Sequence, residues 1–234
     1  MSTPRASRPI PLALTMLVAL FSALVALAVA GGHDAAAHGN DQHATAASAD
    51  GTIVTPKTVA FHDQMRKLWE DHVTWTRLAI ISLTSGTPDT EATVGRLLKN
   101  QADIGDAIKR FYGDEAGERL TSLLRDHILI AADLIAAAKA GNQAAVAQQQ
   151  ARWTANADEI AAFLASANPA SWPLEAMKAM LHDHLRFTTD EVLARLQADW
   201  DADVVAYDAI HLQALAMADM LSRGIVKQFP SQFH

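Results

Sequence analysis

Six stretches of this chain repeat apolar residues at intervals of three and four, and short breaks carrying proline, glycine or asparagine separate them. That period places the apolar side chains on one face of a helix, whereas a strand would alternate by two. Such a chain buries its apolar surface by packing helix on helix, and short connections make consecutive helices antiparallel neighbours. The sequence therefore predicts an all-α fold, an antiparallel helical bundle of about six helices.

The first stretch opens at Thr55-Pro56, a cap followed by proline at the first helical position. Met65, Leu68, Trp69, His72, Thr76 and Ala79 form its stripe, and Ser85-Gly86 breaks it. Thr87-Pro88 restarts the chain, and Val94, Leu97, Leu98, Ile104 and Ile108 carry the second helix to Tyr112-Gly113. The third has Leu120, Leu123, Leu124, His127, Ile130, Ala131 and Leu134, and ends at Lys139 and Gly141. The fourth, from about 143 to 167, turns Trp153, Asn156, Ile160 and Phe163 inward and stops at Asn168-Pro169. Trp172-Pro173 opens the fifth, with Met177, Met180, Leu181, His184, Phe187 and Leu193. The sixth is expected over about 203–225, with Val204, Asp208, His211, Leu215, Ala218 and Leu221 on one side. The last eight residues, 227–234, read as non-helical, with aromatics that pack back on the bundle.

The 234 residues are 50% hydrophobic, enough for one domain with a real core. A net charge of -7 without a basic run argues against a nucleic-acid partner. The chain has no cysteine, which excludes disulfides, thiolate chemistry and Cys-based metal sites. Ahead of the helices, Arg5 and Arg8 precede an uncharged apolar run over residues 10–30, ending in small residues. Residues 1–30 read as a signal peptide, or as an N-terminal membrane anchor if retained. Either way the chain is expected outside the cytoplasm, secreted or at the cell surface, with membrane contact only through residues 10–30. Residues 31–54 read as a polar Ala/Gly/His tether, and 55–234 as the bundle domain. Cleavage after Ala30 would leave Gly31-Gly32-His33 at the new terminus, a set suited to Cu(II) or Ni(II).

An Asp-His phrase recurs, as Asp71-His72, Asp126-His127 and Asp183-His184, each time with the histidine on the apolar stripe. Between these phrases come Asn100 with Asp103, Asn156 with Glu159, and Asp208 with His211, each pair sharing a helix face. The alternation predicts three related hairpins. If all stripes meet at one level, His72, His127, His184, His211, Asp103, Glu159 and Asp208 become candidate metal ligands. Asn100, Asn156, Trp69 and Arg77 would then support them. Imidazole with carboxylate suits Zn, Fe, Mn or Cu, and buried ionisable groups need a partner of this kind. Three functions fit: an extracytoplasmic bundle binding a metal ion or small ligand, a metal-dependent enzyme using the same cluster, and a structural or signalling bundle with a buried polar network and no metal. No Glu-x-x-His motif of the di-iron kind and no phosphate loop is present.

Several segments together resemble a family of exported bacterial all-helical proteins: Trp69/His72/Trp75/Thr76/Arg77, residues 96–105, Asp126/His127/Ile128, residues 153–161 and residues 224–230. The resemblance spans nearly the whole helical region. It implies the fold and export, and it brings no activity to this chain.

Overall fold

A computed structural model describes residues 54–234, so the expected leader, the Gly31-Gly32-His33 set and nearly all of the expected tether lie outside the described residues. The described residues form six α-helices and one terminal 3-10 turn. These are α1 (Pro56–Ser85), α2 (Thr90–Tyr112), α3 (Asp114–Lys139), α4 (Gln143–Ala167), α5 (Leu174–Leu196), α6 (Trp200–Gln228) and the turn Pro230–Phe233. The predicted all-α bundle of six helices is what folds.

Three of the six helix starts carry a side-chain cap. Thr55 and Thr58 form a reciprocal capping box in front of Pro56. The side chain of Asn142 accepts from Ala145 N at the head of α4, and that of Asp199 from Ala202 N at the head of α6. Gly86 closes α1 in the left-handed region at φ 68°. Three boundaries differ from expectation, the first at α2, which begins at Thr90 after a turn at Pro88 and Asp89 and not at Thr87-Pro88. Asp199 caps α6 three residues earlier than the stripe indicated, and the helix continues to Gln228. The tail then turns back, and Phe233 is buried against Phe61 and Phe111.

Consecutive helices pack side by side, and α6 returns to pack on α1, which closes the six into a ring. The histidine-bearing α1 also touches α3 and α5 across the interior. One core of Met65, Trp69, Leu123, Trp153, Ile160, Met177, Leu221 and their neighbours fills the middle. By length and composition α6 could cross a bilayer, yet its Ile210, Ala214, Met217, Ala218 and Ile225 are part of this buried interior.

Two glycines let α2 and α3 approach closely. A Cβ on Gly105 would meet Thr121 Oγ1 at 2.0 Å and the Gly117 carbonyl at 2.5 Å. Gly105→Ala should therefore destabilise the fold by about 1–3 kcal/mol, despite alanine's better helix propensity. Urea unfolding checks this, and a stabilised variant would show that the contact relaxes freely.

Candidate functional site: a layer of three buried histidines

His72, His127 and His184 project inward from α1, α3 and α5 and are buried, at 3–5% exposure. The ring centroids of His72 and His184 are 5.9 Å apart, and those of His127 and His184 are 6.1 Å apart. These three odd-numbered helices run in one direction, so residues at one sequence phase come to one level.

Every ring is held through Nδ1 by an amide on the next helix. His127 Nδ1 donates to Asn156 Oδ1 at 2.8 Å, and His184 Nδ1 donates to Gln213 Oε1 at 3.1 Å. His72 Nδ1 faces Gln101 Nε2 at 3.3 Å. In each case the amide partner lies 29 residues beyond its histidine. The amides are themselves fixed. Asn156 Nδ2 donates to the Leu123 carbonyl at 3.1 Å, and Gln213 Nε2 to that of Met180 at 3.0 Å. Asn100, beside Gln101, donates to the Leu68 carbonyl at 3.0 Å. Leu68, Leu123 and Met180 each stand four residues before the histidine of their own helix. With its NH₂ committed to a carbonyl, the amide of Asn156 or Gln213 offers only oxygen to the ring. Those two rings are thereby held in the Nδ1–H tautomer, with Nε2 left as an acceptor.

Burial dominates the electrostatics. Desolvation, helped by mutual repulsion among the rings, pushes His72 and His127 down to about 3, and burial also lowers His184. All three are neutral at physiological pH. None of the three makes a hydrogen bond at Nε2 among the described residues.

Two cavities border this layer. One is narrow, about 40 Å³, and lined by all three histidines with Trp69, Trp172, Leu124, Ile160 and Met217 among others. It reaches Tyr112 and Phe163, which are only partly buried. Ile104 and Tyr112, which both line it, are eight residues apart on α2, so the cavity follows the bundle for roughly 12 Å. A second, also about 40 Å³, is lined by Thr76, Leu97, Ile128, Trp153 and Thr188. No carboxylate lines either one.

The carboxylates expected inward lie elsewhere. Asp103 is half-exposed and pairs with Lys99 at 2.7 Å, because three residues from the fully buried Asn100 is still about 60° around the helix. Glu159, displaced in the same way from Asn156, is 62% exposed opposite Arg119. Asp208 is exposed, and His211 pairs with Glu70 at 2.8 Å outside the layer. The third partner is Gln213 instead of Asp208. Counting 29 residues from His184, as from His127, reaches it directly. Among the described residues, no group of three or more His, Asp or Glu is placed to hold a metal ion. Asn100, Asn156 and Trp69 do belong to the layer, with the Trp69 ring edge-on to His72 at 5.5 Å.

Arg77 serves a separate buried centre that the sequence did not reveal. It donates to Glu191 at 2.8 Å and grips both oxygens of Asp203, at 2.6 and 2.9 Å. Arg195 donates to Asp203 at 2.9 Å from the other side. Burial opposes the Arg77 charge, and its bonds to Asp203 and Glu191 more than offset this, leaving its pKa raised. Burial outweighs the same contacts at Glu191, whose carboxyl rises to about 7. This cluster ties α1, α5 and α6 together.

Comparison of the chain with family models, curated proteins and solved structures gives no match.

Proposed function

We propose that this chain is an exported structural or signalling bundle in which the histidine layer is an architectural polar network. The observation that carries the reading is the closed circuit at His127 and His184, histidine Nδ1 to amide and amide to the carbonyl one turn before the same histidine, while at His72 the task is split, Gln101 facing the ring and Asn100 reaching the Leu68 carbonyl. Polar groups satisfied in this way set the depth at which neighbouring helices meet, because a slip of one turn leaves them unpaired in an apolar interior. The recurrence of the 29-residue interval and of the four-residue step back supports three related hairpins as the origin of the design. The apolar run over residues 10–30 supports an extracytoplasmic location, with a protein or cell-wall component as the class of partner.

A resident transition metal is the competing reading, favoured by the three adjacent rings with no bond at Nε2. Zn, Fe, Mn or Cu would there lack any carboxylate to balance its charge in an apolar cavity. Metal analysis decides between the two. Protein purified from rich medium without chelator should carry well under one metal per chain, and chelation should leave its melting temperature unchanged. His127→Ala should lower stability by about 2–4 kcal/mol, through the lost ring and the stranded Asn156 oxygen. Near-integral metal that disappears in His127→Ala would overturn the structural reading.

A further inference from the structure

We propose that the outer face of α6 is a self-complementary interface on which a second copy of this chain docks, α6 against α6 and antiparallel. The helix carries two stripes. Ala206, Ile210, Ala214, Met217, Leu221 and Ile225 face the core. Ala202, Val205, Ala209, Leu212 and Ala216 recur on the outward side at alternating intervals of three and four. That spacing is the seam of a helix pair. Among the described residues no helix covers it. Val205 and Leu212 are each 69% exposed, Ala202 and Ala216 are exposed, and Val204, at 52%, widens the patch.

The residues in the seam say what fits it. Alanine alternates with a larger side chain. Antiparallel pairing about a point between Ile210 and His211 sets Val205 against the other copy's Ala216, and Leu212 against its Ala209. Every large side chain then enters the space over an alanine, the knob-and-hole packing of paired helices. The charges point the same way. Asp201 and Asp208 stand on the first half of this face and Arg223 and Lys227 on the second, all four exposed. Asp219, the acid next to Arg223 on the helix surface, is taken by Arg66 at 2.7 Å. Reversing the second helix brings Asp201 within one turn of the other copy's Arg223 and opposes the two helix dipoles. Parallel pairing would set Asp201 on Asp201 and Arg223 on Arg223. An anionic membrane surface fits poorly, since residues 200–216 place Asp201 and Asp208 at the surface and hold no Lys or Arg. One helix face of 29 residues, about 43 Å long, makes a contact at the small end of specific interfaces, so the expected dissociation constant is on the order of 10 μM.

The test is sedimentation equilibrium of the purified chain from about 1 to about 200 μM, over which the mass should pass from monomer to dimer. Leu212→Glu, at an exposed position, should leave the melting temperature unchanged and weaken the dimer by about tenfold or more. Association through the apolar run over residues 10–30 would not respond to this substitution. Because the chain has no cysteine, Leu212→Cys supplies a single thiol beside the two-fold axis. A short bismaleimide should join two chains of that variant and leave Leu129→Cys, 45% exposed on α3, as monomer. A chain that stays monomeric throughout overturns the proposal, including one that instead binds phosphatidylcholine vesicles through Leu212. So does a dimer that survives Leu212→Glu, or equal cross-linking of the two cysteine variants. None of these results depends on the histidine layer, so this interface and the architectural reading of the layer can fail separately.

Discussion

Acidification from pH 8 to pH 5 should cost the folded bundle about 4 kcal/mol through His72 and His127 alone. Both rings are pushed by burial from the ordinary 6.5 to about 3 in the folded state. Between those values the unfolded chain binds protons that the folded chain refuses, so stability is complete above 6.5 and falls as pH drops toward 3. His184, lowered in the same direction, adds to the loss. Glu191 opposes it. Its carboxyl, raised by burial to about 7, contributes stability that is complete below the ordinary 4.5 and lost as pH rises through 7. Over the same interval it returns roughly 2 kcal/mol. Below pH 4.5 Glu191 has nothing further to give and the histidines continue to drive unfolding. Urea unfolding from pH 8 down to pH 4 measures the slope, and Glu191→Gln should make it steeper. Stability that stays level down to pH 4, or a layer histidine titrating near 6.5 in NMR spectra, would contradict the buried neutral layer.

Arg77→Ala should destabilise the protein by about 3 kcal/mol or more at pH 7, lowering the melting temperature by roughly 6–12 °C. Its guanidinium is the contact that links α1 to both Glu191 and Asp203, which are 1% and 3% exposed. Removing it leaves Glu191 without its hydrogen-bond donor and Asp203 with Arg195 alone. Arg77→Lys keeps the charge and loses the two-pronged grip on Asp203, so it should recover only part of the loss. Arg125→Ala, at an exposed position, should stay within about 0.5 kcal/mol of the parent. A loss under 1 kcal/mol in Arg77→Ala would mean that the cluster rearranges around water.

What could be read from the chain follows the range of the physics involved. Caps and breaks act over a few residues, so Thr55-Pro56, Gly86, Gly141 and Asn168 marked the helix ends correctly. The three histidines were legible because each lies on an apolar stripe and parallel helices bring equal phase to equal depth. Their carboxylate companions were misplaced by helix angle. Asp103 and Glu159 each follow a truly buried amide by three residues, close enough to share a face and far enough around to meet solvent. Gln213 was missed because Asp208 and His211 drew attention through their chemistry, while the constant interval pointed five residues further on. The Arg77 cluster could not be read from local pattern, since Glu191 and Asp203 lie 114 and 126 residues away in sequence.

The closure of α6 on α1 carries a consequence for how the molecule is made. Thr55 Oγ1, at the first residue of the bundle domain, donates to the carbonyl of Phe233, one residue from the chain's last position, at 2.6 Å. The opening helix therefore waits for the final turn before its core face is covered, and contacts of this separation form late. A chain synthesised from its amino end stays loose until its final residues are available. The same arrangement makes the last five residues a poor place for a truncation or a bulky fusion.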